Sequence, residues 1–130
     1  MIKFTLPLRV NKSKNKLFSL NLNQYRNECG KALSRVKKTF TKIFSDDYGV
    51  NENGLANNVW LKYTIYFPDN RAADLGNIGA VVDKFTSDCL TKYGYIEDDN
   101  RKIVKRISFD DGGIDRENPR AELELIEMEV

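Results

Sequence analysis

The chain has 130 residues, 41% of them apolar, and a net charge of +2, which suits one domain around one modest core. No apolar run exceeds a handful of residues, which excludes a bilayer-spanning helix. The absence of histidine excludes Ser-His-Asp and Cys-His catalysis and any histidine-ligated metal. Any catalysis must use carboxylates, lysine, tyrosine or a hard cation held by oxygen. Met1-Ile2-Lys3-Phe4 leads into no apolar leader segment, so an intracellular setting is expected. Cys29 and Cys89 belong to no Cys-x-x-Cys pair and are expected to be buried free thiols.

The small net charge conceals a polarity. Residues 1–44 carry eleven lysines and arginines against one acid, Glu28. Residues 45–130 carry ten bases and eighteen acids. Such an asymmetry points to a polyanion-facing part and an acidic part, unless the two fold together and neutralise each other.

In chain order, residues 2–10 alternate, with Ile2, Phe4, Leu6, Leu8 and Val10 on one side, and predict a half-buried strand with Pro7 at an edge or an early end. Residues 11–19 read as a basic, flexible loop. Residues 21–44 predict one long amphipathic helix, capped by Asn21 or Asn23, with Tyr25, Cys29, Leu33, Val36, Phe40, Ile43 and Phe44 on its apolar face. Lys31, Arg35, Lys38 and Lys42 form a stripe opposite that face. A turn-rich loop follows over 45–57. Residues 58–67 alternate again and predict a central strand. A second helix runs from about Asp74 to Lys92 and ends at Gly94. Residues 102–109 predict a strand with Ile103, Ile107 and Phe109 inward. Residues 110–119 read as a polar connection, and 120–129 as a last strand with alternating glutamates. The expected fold is α/β (α+β): a mixed β-sheet packed with two helices in the order β-α-β-α-β-β, as one domain over 1–130.

On a helical wheel, Ile78, Val82, Phe85 and Cys89 form the core stripe of the second helix. Asn77, Lys84 and Asp88 fall within about 40° of one another beside it. Asp83 points about 100° from Lys84. Asp74 stands at the start of this helix, and Asp98 and Asp99 follow its end. Carboxylates brought together repel one another unless a cation neutralises them, and Mg²⁺ favours one or two carboxylates with water and phosphate oxygens. The same residues also suit ordinary capping and turn chemistry.

The stretch Asp74-Leu75-Gly76-Asn77, then Asp83-Lys84, Asp88, Leu90, Gly94 and Asp98-Asp99, resembles the RusA family of Holliday junction resolvases, whose pattern is D-x-D-N-x-x-K, a helix, then Leu, Gly and a D-D pair. Leu6-Pro7, the basic loop, Gln24-Tyr25-Arg26 and the acidic closing strand Glu122 to Glu129 extend the likeness over nearly the whole chain. The resemblance implies a homodimer, in a bacterial or phage-infected cell, that binds branched DNA and nicks it with Mg²⁺, Mn²⁺ being an alternative. It implies Asp74 and Asp99 as metal ligands, joined by Asp98 or Asp83, and Lys84 as the assisting cation. The basic loop, with Arg9, Lys12, Lys14 and Lys16, and the helix stripe of Lys31, Arg35, Lys38 and Lys42 suit phosphate contacts, a solvated helix face being the alternative for the stripe. The chain departs from the pattern twice: Gly76 replaces the second Asp, and the lysine comes about one helical turn late. A non-catalytic junction-binding or scaffold protein on the same fold is the alternative, and Gly76 favours it. An interaction module with no nucleic acid is a third reading, and the basic amino-terminal third argues against it.

Overall fold

Strict alternation makes Val59–Phe67 the middle of the molecule: Val59, Leu61, Tyr63 and Ile65 are fully buried, while Trp60, Lys62, Thr64 and Tyr66 between them are half-buried. The computed structural model describes residues 1–129; of the single domain expected over 1–130, Val130 lies outside the described residues. The elements are β1 (Ile2–Leu6), β2 (Arg9–Ser13), β3 (Lys16–Ser19), α1 (Leu22–Asn27), α2 (Gly30–Asp47), β4 (Val59–Phe67), α3 (Leu75–Lys92), β5 (Val104–Ile114) and β6 (Arg120–Glu127). The main sheet has the order β1-β6-β4-β5. β6 is antiparallel to both β1 and β4, and β5 is parallel to β4, so the sheet is mixed as expected. β2 and β3 form a separate antiparallel hairpin. Among the described residues no helix is long and apolar enough to cross a membrane.

The core lies between one face of the sheet and the helices. Phe4 and Leu6 of β1 and Ala121, Leu123 and Leu125 of β6 join the buried side chains of β4. Against them pack Val36, Phe40 and Phe44 of α2 and Val81, Val82, Phe85, Cys89 and Leu90 of α3. Phe40 and Phe85 meet with ring centroids 5.6 Å apart and weld the two helices together. Gly79 lets α3 approach β5, because a Cβ there would sit 2.5 Å from the Phe109 ring. Gly94, at φ +78°, closes α3 one residue past its C-cap, Tyr93.

Four expectations need correction. The strand expected over 2–10 is two strands: β1 pairs with β6 as far as Leu6, the chain leaves the sheet at Pro7, and Arg9 opens the hairpin. The alternation is real but serves two sheets. The basic stretch 11–19 is therefore not a flexible loop. It turns at Lys14-Asn15 and buries Val10 and Phe18.

The helix expected over 21–44 is broken at Glu28-Cys29. Asn21 caps α1 by accepting the Gln24 N–H, as expected, but Cys29 is extended and α2 starts afresh at Gly30 and continues to Asp47. The break resets the helical phase, so Cys29 is exposed and Leu33 only half-buried. The true apolar stripe is Ala32, Val36, Phe40 and Phe44, at strict i, i+4 spacing. Cys89 is buried as expected, and that burial pushes its thiol up to about 11. Finally, β5 continues through Asp110 to Ile114 rather than ending at Phe109, and Ile107 is 45% exposed because β5 is an edge strand.

Candidate nucleic-acid interface and carboxylate cluster

The hairpin docks on α2 and brings two basic segments, distant in sequence, into one surface. The Arg35 Nε donates to the Lys12 carbonyl at 3.1 Å. Lys14 from the hairpin and Arg35 and Lys38 from α2 then line a concavity of about 380 Å³, with Asn11, Ser13 and Thr39 between them. Lys38 also belongs to a second concavity, of about 490 Å³, where Lys37 and Lys42 face Lys92 at the end of α3. The two form one basic track with hydroxyl and amide groups interspersed, the chemistry that contacts a phosphate backbone without reading bases.

The expected phosphate-binding residues separate accordingly. Lys14, Arg35 and Lys38 converge, while Lys16 and Lys31 are exposed nearby in sequence on β3 and the first turn of α2. Lys12 bonds Glu28 at 2.6 Å, and this holds the Glu28 carboxyl below its ordinary value. Lys42 pairs with Asp46 at 3.0 Å on the exposed face, a contact of little energetic consequence. Arg9 stands apart, lining an apolar cavity of about 400 Å³ with Leu20, Phe67, Arg71 and Ile78. Lys37 and Lys92 belong to the track but not to the stripe expected opposite the apolar face. Lys92 joins only because the end of α3 lies beside α2.

The carboxylates are arranged by α3. Asp74 is its N-cap, accepting the Asn77 N–H at 3.2 Å. Asn77 in turn accepts the Leu22 N–H at 2.9 Å and ties α3 to α1. Lys84 is exposed, its ammonium 5.8 Å from the Tyr25 ring centre. Asp83, as the wheel placed it, lies on another flank. Its Oδ1 accepts both the Tyr63 hydroxyl at 2.7 Å and the Ser87 hydroxyl at 3.0 Å.

Burial raises the Asp83 carboxyl above its ordinary value. The two hydroxyls oppose the shift, and Asp99 and Asp88 add to it. Burial likewise raises Asp99, helped by Asp98 and Asp88. Asp98 is held low, because its carboxylate accepts the Asp99 N–H at 2.8 Å and the Asn100 amide at 3.0 Å. Tyr63, fully buried against an acid, is raised well above the ordinary phenol range. No sequence signal pointed to this Tyr63–Asp83–Ser87 group, because the pairing depends on how β4 and α3 pack.

Of the expected metal ligands, the fold thus brings Asp83 and Asp99 into electrostatic reach of each other, with Asp88 and Asp98 alongside. It leaves Asp74 nine residues up α3 from Asp83, an axial rise of about 13 Å. Among the described residues no three Cys, Asp or Glu side chains are grouped so as to hold a metal ion. Asp83 Oδ1 is already doubly hydrogen-bonded, so a divalent cation here would draw on Asp83 Oδ2 and Asp99, without Asp74, fewer carboxylates than the resemblance implies. Gly76 is helical with no positive φ, and a Cβ there would meet only Asp74 Oδ1, at 3.5 Å. The missing carboxylate is therefore not excluded by space. No family model and no curated protein matches the chain.

Proposed function

We propose that this chain binds branched DNA along the hairpin–α2 track and acts there as a RusA-like, structure-selective endonuclease dependent on Mg²⁺ or Mn²⁺. The observation that carries the binding is the convergence of Lys14, Arg35 and Lys38 in one concavity, continuous through Lys38 with Lys37 and Lys92. The cleavage rests on the resemblance, with Asp99 and its neighbours as the acidic group and Lys84 as the assisting cation. A second reading, junction binding without cleavage, is favoured by the separation of Asp74 from Asp83 and by Gly76. Intracellular DNA recombination or repair is the setting that either reading implies.

One experiment separates them. A labelled four-way junction and a linear duplex of the same sequence are titrated with the protein in Mg²⁺, in Mn²⁺ and in chelator. Tighter binding of the junction and nicking that vanishes in chelator are expected, with Asp99→Asn abolishing nicking while leaving binding equal or stronger. Junction binding with no nicking in either metal removes the endonuclease and leaves the binding protein. Equal, weak binding of both DNAs removes both.

A further inference from the structure

We infer that the cavity of about 400 Å³ at the base of the hairpin holds one nucleotide, its base among apolar side chains and its phosphate on Arg9 and Arg71. The turn after β1, the end of β3, the connection from β4 to α3, and Pro119 ahead of β6 meet there. These segments are tied down. The Leu20 N–H donates to the Leu8 carbonyl at 2.9 Å, the Leu22 N–H to Asn77 Oδ1 at 2.9 Å, and the Asp115 N–H to the Phe67 carbonyl at 2.8 Å. All three prolines of the chain, Pro7, Pro68 and Pro119, line the cavity. A proline ring fixes its φ and offers no N–H, so these walls are stiff and apolar. A preformed site loses little affinity to ordering itself.

The lining selects an aromatic ring that carries an anion. Leu8, Leu20, Phe67 and Ile78 supply the apolar interior. Among the described residues Arg9 takes part in no ion pair. Arg71 is steered by Asp69, whose Oδ1 accepts the Arg71 backbone N–H at 3.1 Å and whose Oδ2 accepts its Nε at 3.2 Å. Both oxygens of the lining carboxylate are thus occupied, and the two Nη groups of Arg71 are left as donors. Two guanidinium groups against one paired carboxylate favour an anion, and the guanidinium fork matches a phosphate. Asn21 uses its side-chain oxygen for the Gln24 N–H at 2.9 Å. Its amide nitrogen and the Ser19 hydroxyl remain for the polar edge of a base.

The hairpin favours a nucleotide over other aromatic anions. At its base Arg9 pairs with Ser19, and both line the cavity, while Lys14 at its tip lines the basic track. The five residues of β2 put about 17 Å between them, the length of about five stacked nucleotides. A strand whose phosphates follow the track therefore reaches the cavity with an unpaired nucleotide. Delivery by a strand rests on the DNA-binding reading proposed above; the fit of the cavity to a free nucleotide does not.

The test follows the backbone amides of the full chain by NMR during titration with deoxyadenylate, deoxyadenosine, inorganic phosphate and phenylpropionate. Deoxyadenylate is expected to shift the amides of Arg9, Leu20, Arg71 and Ile78 and to bind about tenfold or more tighter than the other three. Arg9→Ala is expected to lower its affinity to about that of deoxyadenosine. Ala73→Trp, which fills the cavity from an exposed position, is expected to weaken deoxyadenylate and deoxyadenosine alike. The spectra show whether each variant is folded, and should Ala73→Trp unfold, Arg9→Ala carries the test. Phenylpropionate binding as tightly as deoxyadenylate, shifts confined to another surface, or full affinity in the folded variants would each overturn the assignment. A second titration separates the free nucleotide from one in a strand. A duplex with a single-stranded tail of about ten nucleotides is expected to bind more tightly than the blunt duplex, and Ala73→Trp to reduce that preference about tenfold. A preference that Ala73→Trp leaves unchanged assigns the cavity to the free nucleotide. A wild type that binds deoxyadenylate but no DNA keeps the cavity and removes the track.

Discussion

Asp83 shows what one residue does when packing, rather than sequence position, sets its surroundings. Its carboxyl is raised from an ordinary value of 3.8, chiefly by burial. The folded state therefore holds the proton more tightly than the unfolded chain. The resulting stability is fully present below pH 3.8 and is lost as pH rises through the higher folded value. Asp83→Asn keeps an oxygen for Tyr63 and removes the titration. Urea denaturation across this range should show the variant gaining on the wild type as pH rises, and then a constant difference. Parallel curves would show that Asp83 does not titrate abnormally. Tyr63→Phe, which removes a bond to a charged acceptor, should cost about 2 kcal/mol at neutral pH in the same assay. The wheel separated Asp83 from Lys84 correctly. It could not supply Tyr63, because a strand residue 20 positions earlier reaches Asp83 only through the sheet–helix contact.

At the scale of elements, the alternating strands and the core stripe of α3 were legible because periodicity survives wherever one face is buried. The central strand, the second helix with its Asp74 cap and Gly94 terminus, and the acidic closing strand all follow that rule. The hairpin was not legible as one. Val10 and Phe18 are its only fully buried residues, and lysines and asparagines surround them. The break at Cys29 was hidden because Ala32 to Phe44 keeps an unbroken i, i+4 spacing beside it. The hairpin makes the basic track possible, so charge reversal there separates the proposed DNA contacts from internal ones. Lys14→Glu with Lys38→Glu should weaken binding to every DNA by about tenfold or more and lower the slope of log affinity against log salt by about 2. Lys12→Glu should act differently, since Lys12 already serves Glu28. It should disturb the hairpin's seat on α2, visible as a lower melting temperature. An unchanged salt slope in the double variant would move the DNA elsewhere on the molecule.

On the whole molecule, the charge polarity between the chain's two parts is partly neutralised by folding. β6 lies between β1 and β4, and Glu124 stands between Lys3 and Lys62 in one cross-strand row. Acidic β6 thus meets bases from both neighbours, while the bases of α2 face outward. Folding thus neutralises part of the asymmetry and leaves the bases of α2 at the surface. The acidic loop and Asp74 were visible as residues, but their separation was not. It depends on how the chain runs after α3, where Asp99 lies within reach of Asp83 rather than of the helix start.

The strand order also dictates a sequence of events. β6, the last strand in the chain, is an inner strand, and β1, the first, has only β6 as a partner. Until β6 docks, β1 has no ladder and β4 lacks its antiparallel one, so two strands with apolar faces wait exposed. Closing the sheet joins residues more than a hundred positions apart, as in Ile2 with Leu125. Such non-local pairing slows folding and prolongs exposure of aggregation-prone edges. A chain ended before Arg120 should lack a cooperative unfolding transition by circular dichroism and should aggregate, although every helix is still encoded. Adding the missing strand as a separate peptide should restore the transition, because it supplies the antiparallel ladders that β1 and β4 otherwise lack.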